Sequence, residues 1–295
     1  HLYQLRIHNI TEAQRDEIES QRDEVQFQKG EIEDSILYAK RIQTAVIPSM
    51  EKFESFFKSH FVIFKPHSVV SGDFYWITQV NEWIIATVVD CTGHGVPGAF
   101  MSMLGVSFLN EIVRKKEVTN AASVLNHLRD SVIEALQQSN SDTNDVRDGM
   151  DMSLVAIHEG RKKAFWAGAN NPLWIVRHSE TEKQLDDIAN KVEVIKGDAM
   201  PVSIFMNMRD FTNHEITLNE KDRLYLFSDG FSDQFGGPKG KKYLNKSFRR
   251  LIAETSILPM KEQGKHVEIA FDEWGTYGGK IFEQVDDVTV LGLEI

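Results

Sequence analysis

The chain has 295 residues, 41% hydrophobic and 26% charged, enough for one large globular domain with an appendage or for two ordinary domains. Its formal net charge of −11 argues against a nucleic-acid backbone as the main partner, because gripping phosphates requires clustered Lys and Arg. The lone cysteine, Cys91, excludes a disulfide framework and a cysteine-based zinc site. No apolar run is expected to approach the ~20 residues that span a bilayer, and no signal peptide precedes the first helix. The expected setting is therefore the cytoplasm. His1 is not an initiator Met, which leaves room upstream for a sensor or a membrane segment.

The first predicted element is a heptad helix. Ile18, Val25, Ile32, Ala39 and Val46 recur every seven residues, the spacing that keeps one seam turned toward a partner helix. Gln14, Gln21 and Gln28 occupy the other core position, so the seam is half polar and weakly stable. Gly30 is expected to interrupt the helix, at a cost of ~1 kcal/mol against Ala. From Ser35 the pattern becomes richer in Ile36, Leu37, Ile42 and Ile47, and it stops at Pro48. Residues 1–48 are thus expected to form a coiled-coil linker joining two copies in a parallel homodimer, and residues 49–295 a separate domain.

Strand-like runs follow at 61–65, 74–80 and 83–89, then helical patterns over 97–115 and 121–138. Strands resume at 152–158, 163–167, 173–177, 192–195, 213–218 and 223–227. Helical patterns cover 246–254 and 260–274 before a last strand at 288–293. Strands grouped apart from helices indicate an α+β domain. The segments 138–149 and 178–191 read as polar, mobile loops.

Four short segments carry the chemistry: Ser71-Gly72-Asp73-Phe74-Tyr75, Asp90-Cys91-Thr92-Gly93-His94-Gly95, Phe227-Ser228-Asp229-Gly230 and Asp286-Asp287-Val288-Thr289. Each places an aspartate at the edge of an apolar strand, which holds the carboxylate rigidly, and a glycine next to or within three residues of three of them lets backbone approach a ligand. One such aspartate is ordinary turn chemistry. Four that met in one place would repel one another unless cations sat among them, and hard divalent ions take oxygen ligands. Two such ions a few Å apart form a hydrolytic centre that activates water.

These segments resemble the metal-dependent protein phosphatase family, type two C, in the bacterial branch of the sporulation stage two E and sigma-factor regulatory serine phosphatases. The likeness spans residues 35–295 and takes in Tyr38-Ala39-Lys40-Arg41-Ile42-Gln43, Gly93-His94-Gly95-Val96-Pro97-Gly98-Ala99 and Gly168-Ala169-Asn170-Asn171-Pro172-Leu173 as well. It implies an α-β-β-α sandwich of two antiparallel sheets flanked by helices, and a centre of two Mn²⁺ or Mg²⁺ ions. Carried over, Asp90 bridges both ions, Asp73, Asp229 and Asp286 complete the carboxylates, and the Cys91 backbone carbonyl is a further ligand. Asp90 and Asp73 then serve catalysis through the water that the ions hold. The implied reaction is hydrolysis of phosphoserine or phosphothreonine in a partner protein, an anti-sigma-factor antagonist or a similar regulatory domain. The alternative is a catalytically weak signalling module of the same fold; loss of an aspartate would favour it, and all four are present. Asp287 stands where many relatives have Asn. The phosphate-gripping arginine of eukaryotic members has no clear counterpart, with Arg41 and Lys65 as candidates, and His94 lies too far along the loop to match their acid histidine.

Rival motifs fit less well. Gly93-His94-Gly95-Val96-Pro97-Gly98 matches a dinucleotide fingerprint, but helical pattern continues to Lys115 and no βαβ unit closes. Gly236-Gly237-Pro238-Lys239-Gly240-Lys241-Lys242 fails the phosphate-loop spacing and reads as a flexible basic loop. Met101, Met103, Leu104, Phe108 and Leu109 make an apolar helix face that reads as core.

Overall fold

The computed structural model describes residues 2–115, 120–138, 148–178 and 187–295. The interiors of the two predicted polar loops, 139–147 and 179–186, lie outside the described residues. The chain divides into two units, His1–Thr44 and Ala45–Ile295.

The first unit is essentially one helix, α1 (Leu2–Val46), roughly 67 Å long at 1.5 Å per residue. Gly30 does not interrupt it, contrary to the sequence expectation. A single unfavourable residue at ~1 kcal/mol is too weak to break so long a helix when its neighbours propagate it. Ile18, Val25 and Ile32 are each 60% or more exposed, an apolar seam with no cover from the chain itself.

The second unit begins with a short helix, α2 (Met50–Phe56), and strand β1 (His60–Lys65). Strands β2 (Phe74–Val80) and β3 (Trp83–Cys91) form a hairpin, and helices α3 (Gly95–Lys115) and α4 (Ala121–Ala135) follow. Next come β4 (Met150–His158), β5 (Lys163–Ala169), β6 (Leu173–Val176), β7 (Val192–Ile195), β8 (His214–Thr217) and β9 (Arg223–Phe227). A one-turn helix α5 (Gly230–Asp233) precedes a small hairpin of β10 (Phe235–Gly236) and β11 (Lys241–Lys242). Helices α6 (Asn245–Thr255) and α7 (Met260–Gly275) then lead to β12 (Val288–Glu294).

The strands make two five-stranded antiparallel sheets, ordered β1-β12-β9-β6-β7 and β2-β3-β4-β5-β8. Side chains alternate across a strand, and here both faces are apolar because both are covered. In β3, Ile84, Ala86 and Val88 point into the core between the sheets, while Trp83, Ile85 and Val89 face α3 and α4. In β9, Leu224 and Leu226 share the central core, whereas Tyr225 and Phe227 pack with Phe248 of α6 and Phe271 of α7. The result is the four-layer α-β-β-α sandwich, helices outside two sheets.

Two expectations need correcting. Helix α3 is long and apolar enough over Gly95–Arg114 to cross a membrane, although no such run was expected. Half of that stretch is buried in the domain, with Met101, Val106, Leu109 and Ile112 in the core over β2–β5. The basic loop before Lys242 is an ordered hairpin: Gly237 N donates to Trp274 O at 2.9 Å, and Lys242 Nζ meets Asp233 Oδ2 at 2.6 Å.

Candidate active site

All four predicted aspartates lie at one end of the sandwich. Asp73 leads into β2 and Asp90 lies one residue from the end of β3. From the other sheet, Asp229 follows β9 and Asp286 lies two residues before β12. Antiparallel order places the start of one strand beside the end of its neighbour, so sites far apart in sequence meet at one edge.

Burial and mutual charge set the electrostatics. Asp90 is held well above the usual carboxylate range, first by burial and then by the charges of Asp73, Asp229, Asp286 and Asp151. Burial likewise raises Asp73 well above its ordinary value. Asp229 is pushed up to about 6, by burial and then by Asp286. Asp286 is raised in the same way, while the nearby His94 and His67 act in the opposite sense. Those two imidazoles pack together with ring centroids 4.3 Å apart.

Asp151, which the sequence reading passed over, belongs to this group. It sits directly opposite Asp90 in the β3–β4 register, and burial raises its pKa too. Like charges directly opposite on neighbouring strands are destabilising. The signal was available in sequence as an acid inside an otherwise apolar strand, but only the register shows which acid it faces. Asn170 Nδ2 donates to Asp151 Oδ1 at 2.8 Å. Asn170 adopts a left-handed φ of 56°, a conformation Asn tolerates, and its own N–H donates to Asp198 O at 2.8 Å.

Neighbouring polar groups fix the acids. Ser228 Oγ donates to Asp73 Oδ2 at 2.5 Å and accepts from Thr289 N at 3.0 Å, linking both sheets at the site. Asp287, whose charge also bears on Asp73 and Asp286, is taken up by backbone donors. Its two oxygens accept from His67 N and Gly72 N, each at 2.7 Å, which staples the segment before β2 to the segment before β12. The glycines permit close backbone packing: a Cβ on Gly72 would stand 2.4 Å from Gly93 O, and one on Gly98 2.2 Å from the same atom. Cys91 O lies near that contact too, 3.3 Å from the Gly72 Cβ position, at the edge of the acid group. The fingerprint-like glycines thus close the β3–α3 loop onto β2. Lys65, a candidate phosphate grip, is committed to Glu268 and Asp272 at 3.1 and 3.0 Å. Arg41 lies in the other unit.

The profile of the stage II sporulation protein E (SpoIIE) family matches residues 82–295. The chain belongs to that family. The match starts beyond Asp73 and includes Asp90, Asp151, Asp229 and Asp286. No curated protein sequence matches. Among solved structures, the SiaA PP2C domain of Pseudomonas aeruginosa is 27% identical, with 90% of this chain and 98% of that one covered at a TM-score of 0.76. The PP2C phosphatase domain of SpoIIE from Bacillus subtilis, solved with a fragment of its regulatory domain, is 20% identical, covering 80% and 61% at 0.58. The RsbU and RsbW domains of Rv1364c from Mycobacterium tuberculosis are 16% identical, covering 80% and 60% at 0.58. The fold of this SpoIIE-family chain is therefore that of PP2C-type phosphatase domains.

Proposed function

We propose that this SpoIIE-family chain is a protein serine/threonine phosphatase that hydrolyses phosphoserine or phosphothreonine in a regulatory protein, with two divalent ions, Mn²⁺ or Mg²⁺, as cofactors. The observation that carries the reading is the gathering of Asp73, Asp90, Asp151, Asp229 and Asp286 at one end of both sheets, each raised by burial and most by one another. A site that penalises its own negative charge is suited to cations, and oxygen-only donors suit hard ones. Among the described residues, no three His, Cys, Asp or Glu side chains form a group able to hold an ion by themselves. Ions that keep several waters and take one or two carboxylates each fit such an arrangement better than ions needing a full protein cage.

Asp73, Asp90, Asp229, Asp286 and the Cys91 carbonyl would hold the pair, and Asp151 stands beside them. When bound, such ions activate water and neutralise charge on the phosphoryl oxygens. The chain's own residues supply position. Ser228 holds Asp73, Asn170 holds Asp151, and Asp287 fixes the two segments that carry Asp73 and Asp286. In the reaction a P–O bond forms to water oxygen, the bond to the serine or threonine oxygen breaks, and that oxygen takes up a proton. The family resemblance supports an anti-sigma-factor antagonist or a similar small domain as substrate. We place the reaction in the cytoplasm, with two copies joined through the α1 seam.

The test is phosphate release from phosphoserine and phosphothreonine peptides. Release is expected with Mn²⁺ or Mg²⁺, to vanish on chelation, and not to return with Zn²⁺ at equal concentration. Asp90→Asn should lower it by on the order of a hundredfold or more with an unchanged circular dichroism spectrum. Full turnover after exhaustive chelation, or near-parent turnover in folded Asp90→Asn, sinks the reading.

A further inference from the structure

A groove of about 550 Å³ opens next to the acid group, between the β6–β7 edge and the start of α6. Its lining includes Asn170, Trp174, Lys196, Lys246 and Arg249. Asn170 is also the residue that holds Asp151, so the groove and the acid centre share a wall. Gly197 lets the turn after β7 approach the turn after β5, since a Cβ there would stand 2.8 Å from Asn171 O and from Gly168 O.

The charge of the groove is opposite to that of the molecule. The chain carries −11 overall, yet three cations line this one cleft. Lys196 and Lys246 are both exposed and make no close ion pair among the described residues, while the charge of Lys246 also reaches Asp187. Arg249 Nε is buried without a hydrogen-bond partner. A buried cationic donor left unpaired is costly, and such groups occur where something else completes them. Arg and Lys together suit carboxylates, which accept charge-assisted hydrogen bonds. Trp174 and the wall residue Pro172 add apolar surface beneath a bound chain.

We propose that this groove binds an acidic segment flanking the phosphorylated residue of the substrate protein, so that specificity for the substrate is read outside the acid centre. The inference rests on the phosphatase reading. A phosphoserine placed over Asp90 and Asp151 extends its own chain past Asn170 into the groove, where Asp or Glu side chains meet Lys196, Lys246 and Arg249.

The test separates docking from turnover. Fluorescence anisotropy would be measured with the 295-residue chain carrying Asp90→Asn in Mg²⁺, using two labelled phosphoserine peptides. One carries Asp and Glu on both sides of the phosphoserine, the other Asn and Gln. The acidic peptide is expected to bind at least about tenfold more tightly, with the advantage shrinking as salt rises from about 50 to about 300 mM. In Lys196→Ala/Lys246→Ala the two affinities should converge to within about twofold. Each single lysine variant is measured alongside with its melting temperature, so misfolding of the double variant leaves the question answerable. Equal affinities in the parent, or an undiminished preference in the variants, overturns the proposal. If the preference holds while the parent chain hydrolyses neither peptide with Mn²⁺ or Mg²⁺, the phosphatase reading falls and the docking groove stands.

Discussion

Asp90 and Asp151 confront each other across one rung of the β3–β4 ladder, and that placement has a thermodynamic signature. An aspartate whose folded pKa lies above its unfolded value binds protons more tightly when folded, so stability falls as pH rises through the interval between the two values. For Asp229 that interval runs from the ordinary 3.8 to about 6, and Asp73, Asp90, Asp151 and Asp286 shift in the same direction. Chelator-treated protein should therefore lose stability from this cluster as pH rises from about 4 past about 6, and Mg²⁺ should restore more of it at pH 7 than at pH 4.5. Melting temperatures on a pH series with and without Mg²⁺ check this; a flat metal-free profile across the window contradicts it. Asp287 makes a different case, because it works by hydrogen bonding. Asp287→Ala strands two backbone N–H donors, and at ~1–3 kcal/mol for each unsatisfied group the expected loss is about 2–6 kcal/mol by urea denaturation. At this scale the sequence was legible wherever an aspartate neighboured glycine at a strand edge. It was silent on Asp151 and His67, whose meaning depends on partners 61 and 219 positions away in register and packing, Asp90 with Asp151 and Asp286 with His67.

Elements were easier to read than residues where their patterns were long. The strands of the two sheets and helices α3, α4, α6 and α7 were expected within a few positions because apolar runs and helical periodicity fixed them before any tertiary contact. Helices α2 and α5 and the β10–β11 hairpin were missed. Each is too short to carry a period, and the hairpin depends on contacts such as Gly237 N to Trp274 O. Strand β5 shows why the sandwich tolerates little change inside. Trp166 is fully buried in the core between the sheets and donates from Nε1 to Ser153 Oγ at 2.9 Å. Trp166→Ala should cost about 3–5 kcal/mol, since a large cavity opens and the surrounding strands relax only in part. Equilibrium unfolding gives the number, and a loss below about 1 kcal/mol would mean that the inter-sheet core collapses freely. In α1 the same logic applies to an exposed surface. Ile18, Val25 and Ile32 lie uncovered, so replacing all three with Ser should shift sedimentation from dimer to monomer without reducing the domain's own melting temperature.

On the scale of the whole molecule, a long heptad helix precedes the domain that carries the acids, an arrangement suited to passing torsion as well as holding two copies together. Seven residues inserted after Glu24 preserve the phase of the seam, whereas three or four rotate it to another face. At matched dimer fraction, hydrolysis rates should therefore survive the seven-residue insertion and change with the shorter ones; equal rates in all would leave α1 as a tether. The order of strands in the first sheet has a further consequence. Strand β12 is the last in sequence, yet it lies between β1 and β9. A nascent chain emerging from the ribosome has made β1 and β9 long before the strand that joins them exists, and Asp286 arrives with it. Until that late insertion, two strand edges stay open and the acid group lacks a member. Closure of the sheet by β12 and the arrival of Asp286 among the other acids are therefore one event.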